Sequence, residues 1–105
     1  MTTTPKIFGQ AFPAAGVTTE LYTAPVNKRA QVTIFICNQV SNTENFFIQL
    51  RRGQDLPNTY ISYNTVLISN GVFAFSSIGL DSGESIWVKS AGGYASFTAT
   101  GIEFS

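Results

Sequence analysis

The sequence predicts an all-β domain: a two-sheet antiparallel β-sandwich of jelly-roll type, with an Ig-like Greek key as the alternative topology. Three observations predict it. Apolar residues between Val17 and Phe104 recur at every second position, not at three and four. Turn residues divide that stretch into about eight short segments at the spacing typical of sandwiches. A chain of 105 residues holds one core and not two.

The elements follow in order. Residues 1–16 read as an irregular N-terminal arm, and 17–105 as the single domain. Pro5, Gly9 and Pro13 interrupt the arm, so it is an edge strand or a clasp rather than a central strand. Its Ile7, Phe8 and Phe12 make it too apolar for a solvated tail, which predicts contacts outside its own sandwich. Val17–Thr23 is a first strand, and Ala24–Lys28 a turn containing Pro25. Arg29–Asn38 and Glu44–Arg52 are the strongest strand signals, and the polar loop between them has hairpin length. Pairing them sets Val32 opposite Leu50, Ile34 opposite Ile48 and Ile36 opposite Phe46, all on one face. Gly53–Asn58 is a turn. Thr59–Tyr63 and Thr65–Ser69 are short strands hinged at Asn64, and Asn70-Gly71 is a tight turn before Val72–Ser76. After the loop Leu80–Glu84, Ser85–Ser90 and Tyr94–Phe104 form a last hairpin about Ala91-Gly92. It pairs Ile86 with Phe97 and Val88 with Ala95.

Composition narrows the function. Charged residues are 11% of the chain, against about 25% in ordinary soluble domains, and the net charge is zero. Low charge without net repulsion favours association, so a homo-oligomer, dimer or trimer, is expected. There is no basic excess to bind nucleic acid, and no run near the ~20 apolar residues of a membrane span. The segment MTTTPKIFGQ lacks the apolar run of a secretory signal. With one cysteine, Cys37, no intrachain disulfide forms, and with no histidine a Cys–His nucleophile is excluded. Carboxylates alone rarely build a zinc site. No cofactor is expected.

Three sets of residues could carry function. Asp81 and Glu84 flank Gly83 and could act as the acid pair of a glycosidase, although Asp and Ser at a strand start more simply build a turn. Lys28-Arg29 and Arg51-Arg52 fall at the same open end of the first hairpin and could meet an acidic patch, or serve solubility and edge protection. The aromatics are the third set. In the register above, Phe35 lies directly opposite Phe47 on the outer face, and Trp87 and Tyr94 take the outer face of the last hairpin. Outward aromatics are what an interface uses as anchors.

The run Leu21–Ala30 followed by a strand ending Cys37-Asn38, then Leu80–Val88, then Ser96–Gly101, resembles small β-sandwich virion proteins of tailed bacteriophages. The resemblance spans residues 20 to 102 and rests on turns and apolar positions. It implies a structural role in the particle, assembled in the host cytoplasm: a capsid cement or decoration protein that binds the major capsid protein. A tail, baseplate or fibre component is the other role it implies. It carries no catalytic residues. The expected function is therefore non-enzymatic. A carbohydrate- or receptor-binding module is the alternative, with Trp87, Tyr94 and Tyr60 available to stack on a glycan.

Overall fold

The computed structural model describes residues 3–52 and 59–104, the side chains of residues 3, 4 and 6 excepted. The expected Gly53–Asn58 turn lies outside the described residues. Eight antiparallel strands form the domain: β1 (Thr3–Ala11), β2 (Thr19–Thr23), β3 (Arg29–Asn38), β4 (Glu44–Arg51), β5 (Tyr60–Leu67), β6 (Val72–Leu80), β7 (Ser85–Ser90) and β8 (Ala95–Phe104). They make two four-stranded sheets, ordered β1-β8-β3-β6 and β2-β7-β4-β5. Strand β1 pairs with β8, β2 with β7, β3 with β6 and β4 with β5. The chain is thus one long hairpin of paired strands wrapped around the core, which is the jelly roll and not the Ig-like key.

This topology corrects both expected hairpins. Strands β3 and β4 lie in opposite sheets, as do β7 and β8. Their alternation does mark the inward face, since Val32, Ile34, Ile36, Phe46, Ile48, Ile86, Val88, Ala95 and Phe97 are all buried. They face each other across the sandwich instead of lying side by side in one sheet. A two-residue period fixes which face is buried and is silent on which strand is the neighbour. The Ala91-Gly92 turn is accordingly a crossing between sheets, with Gly93 at φ 79°.

Of the two readings of the N-terminal segment the structure shows the edge strand, and it corrects the expectation that Phe8 makes its contacts outside its own sandwich. Residues Thr3–Ala11 are the edge strand β1, paired with β8 from Thr3↔Phe104 to Ala11↔Phe97. The edge position accommodates Pro5, and a bulge at Phe8 accommodates the break in pattern. Phe8 turns onto the domain's own core and stacks on Tyr22 with ring centroids 4.3 Å apart. Ile7 and Phe12 stay exposed. Asn64 does not divide β5. It sits within the strand at φ 52°, in a stretch where the pairing with β4 shifts. In β6 the register against β3 shifts as well, and Ser77 adopts φ 60°.

Among the described residues the core cluster is apolar, and a buried carboxylate stands at each end of it. Glu103, on β8, accepts a 2.6 Å hydrogen bond from the Tyr22 hydroxyl and lies 3.9 Å from the Lys28 ammonium. Burial, then this hydrogen bond, then the Glu103 charge push the Tyr22 hydroxyl far above its ordinary range. Glu44, on β4, closes the opposite end.

Candidate interaction surfaces

Each sheet has one outward face, and the two differ in chemistry. On the β2-β7-β4-β5 face the strands place Trp87, Gln49 and Tyr60 in one row across β7, β4 and β5. Lys89 and Phe47 stand in the next row. Phe47 meets Tyr60 and Tyr63 edge-on, and those two rings lie 5.0 Å apart at right angles. The Lys89 ammonium sits 4.1 Å over the Phe47 ring, and the Arg51 guanidinium 4.1 Å over Trp87. The Trp87 indole N–H donates to Ser85 Oγ, while Gln49 donates to Thr59 and accepts from Arg51 Nε. Aromatic rings, two cations and a buried amide therefore occupy the middle of this face with their own contacts, Phe47 is left buried, and Tyr63 and Val66 of the edge strand β5 stay exposed.

On the β1-β8-β3-β6 face the outward positions include Ile7 and Gln10 of β1 and Thr98 and Thr100 of β8. From β3 come Gln31, Thr33 and Phe35, and from β6 Val72 and Ala74. Among the described side chains on this face, the one charge is Arg29, at its end. Phe35 is 44% exposed. It stands between Thr98 on one side and Ala74 on the other, both small.

Phe35 and Phe47 are thus outward, as expected, but on opposite sheets. They are not a cross-strand pair, and Phe35, Phe47 and Trp87 do not form one patch. Tyr94 is not beside Trp87 either. It precedes β8 at the end closed by Glu44, so Trp87, Tyr94 and Tyr60 do not share a platform.

The four basic residues do gather at one end of the sandwich, because β3 begins where β4 finishes. Arg52 Nε is 2.9 Å from Glu84 Oε2, Lys28 pairs with Glu103, and Arg51 lies on Trp87. Three of the four cations are therefore engaged within the chain. Asp81 and Glu84 build the β6–β7 turn: Glu84 Oε1 accepts the Asp81 N–H at 2.7 Å, and Asp81 Oδ1 accepts the Ser82 N–H at 2.8 Å. Both carboxylates line an open cleft together with Arg29, Gln31, Leu80 and Phe104.

Glu44 is the residue that sequence reasoning missed. It is 4% exposed. Its carboxylate accepts N–H groups from Asn45 (2.8 Å), Gly92 (2.9 Å) and Tyr94 (3.1 Å), and the Ser90 hydroxyl at 3.0 Å. Burial alone would raise its pKa. The N–H groups of Asn45, Gly92 and Tyr94 and the Ser90 hydroxyl outweigh burial and hold it below the usual carboxylate range. A Cβ on Gly92 would come within 2.8 Å of Glu44 Oε2. The small residues of Ser90–Gly93 were the available signal: they let the loop backbone close onto an anion, and in sequence they read only as a turn.

Compared with known protein families, with characterised proteins and with solved structures, the chain matches none.

Proposed function

We propose that this chain is a non-enzymatic structural protein of a tailed-bacteriophage particle. Its task is that of a cement or decoration protein, binding the major capsid protein from outside and bridging its subunits. The observation that carries this reading is the distribution of charge. One complete sheet face has a single charge among its described side chains, while most of the other charged groups are paired within the chain or sit at its ends. Such a face gains by being covered. The mechanism is mass action: contacts made only in the assembled particle stabilise the assembled state. The jelly roll accommodates this role and is equally at home in lectins, so the fold adds nothing decisive.

A second reading has one observation in its favour. Tyr60, Tyr63 and Phe47 form an aromatic cluster with Tyr63 68% exposed, and it could stack on a sugar. The chain would then be a tail, baseplate or fibre component that binds a glycan or receptor.

Quantitative mass spectrometry of purified particles tests both. Hundreds of copies support the shell role, and a dozen or fewer support the tail role. Absence from the particle overturns both. A glycan array on the parent and on Tyr63→Ala separates the second reading from the first.

A further inference from the structure

We propose that the β1-β8-β3-β6 face docks a second copy of this chain, face to face about a two-fold axis near Phe35. This dimer rests on the reading of the chain as an assembly protein and supplies its first contact.

In a two-fold interface residue i of one copy meets residue j of the other, and only groups near the axis meet their own kind. On the opposite face, covering Glu20, Arg51 and Lys89 would take three charges out of water. The face around Phe35 has no such cost, because its one described charge, Arg29, is peripheral. Its polar groups are also self-matching. The hydroxyls of Thr33, Thr98 and Thr100 and the amides of Gln10 and Gln31 each both donate and accept. Its apolar groups, Ile7, Phe35 and Val72, can meet one another.

The relief is self-complementary too. Phe35 projects next to Ala74, so a ring from one copy has a shallow seat on the other. The size fits. Four strands at about 4.8 Å spacing and nine or so residues at about 3.3 Å rise make a face of roughly 20 by 30 Å. That is about 600 Å², the low end of what each partner contributes to a standard interface.

Sedimentation velocity at micromolar concentration decides the matter. The parent should run as a dimer. Phe35→Glu, and independently Ala74→Lys, should run as monomers with the parent's far-UV spectrum, and Val66→Glu, on the other face, should remain a dimer. Ala74 is exposed, so Ala74→Lys reads the interface even if Phe35→Glu folds poorly. A monomeric or trimeric parent, a dimeric Ala74→Lys, or dissociation by Val66→Glu overturns the proposal. Copy number in particles is read separately. A monomeric parent abundant in particles sinks the dimer and leaves the virion role standing, and a dimer missing from particles does the reverse.

Discussion

Replacing Glu44 by Ala removes the acceptor that organises the β7–β8 crossing. The Gly92 and Tyr94 N–H groups and the Ser90 hydroxyl then lose their common partner. An orphaned donor costs about 1–3 kcal/mol when fully buried. The buried Ser90 hydroxyl accounts for about 2 kcal/mol, the water-accessible Gly92 N–H for about 1 kcal/mol, and the Tyr94 N–H keeps Ser90 Oγ as a second acceptor, so the total is about 3 kcal/mol. For a domain of this size each kcal/mol moves Tm by roughly 4–8 °C, which predicts a loss of roughly 12–24 °C. Glu44→Gln should lose a similar amount, since its amide nitrogen points donors at donors. The pH dependence has a definite sign. The Glu44 carboxyl is held below its unfolded value, so the unfolded chain binds the extra proton. The stabilisation is complete above the ordinary carboxylate range and is lost as pH falls through the lowered folded value. Urea unfolding of parent and Glu44→Gln from neutral to acid pH should show a flatter acid limb in the variant. A Glu44→Ala variant within about 1 kcal/mol of the parent would refute the reasoning.

Three further outcomes are expected. Gly101→Ala should destabilise by several kcal/mol in urea titrations, because the added Cβ would lie 2.0 Å from the Gln31 carbonyl oxygen at φ 153°; a parent-like midpoint would contradict that. Removing residues 1–13 strips β1 from β8 and Phe8 from Tyr22, so the truncated chain should unfold or aggregate. A soluble truncation with the parent's spectrum would restore the clasp reading of this segment. Tyr22→Phe should lose about 1.5–3 kcal/mol at neutral pH, the worth of a hydrogen bond to a charged group. It should also flatten the alkaline limb: the raised Tyr22 pKa gives stability that is full below about pH 10 and lost above it, so an unchanged limb would exclude Tyr22 as its source.

The inward set was legible because burial imposes a period of two, and strands β3 and β7 match their sequence ranges end to end. The pairing was not legible. Val32, Ile34 and Ile36 have the same pattern whether their partners are beside them or across a sandwich. The Phe35–Phe47 pair was a product of that ambiguity. Phe8 was misplaced for a different reason: a bulge reverses the face of one residue, and alternation cannot announce its own interruption. Glu44 escaped because three of its four partners are backbone N–H groups, which every sequence has.

The nested pairing of strands orders the events of synthesis. Pair β4–β5 can close first, then β3–β6, then β2–β7, and β1 waits for β8, the last of the eight described strands. A nascent chain therefore carries β1, with Ile7 and Phe8, unpaired until β8 has been made. Partners this distant in sequence make for folding on the millisecond-to-second scale. A chain stopped short of Ala95 would present both β1 and β3 as open edges, so truncated products of this gene should be among its most aggregation-prone forms.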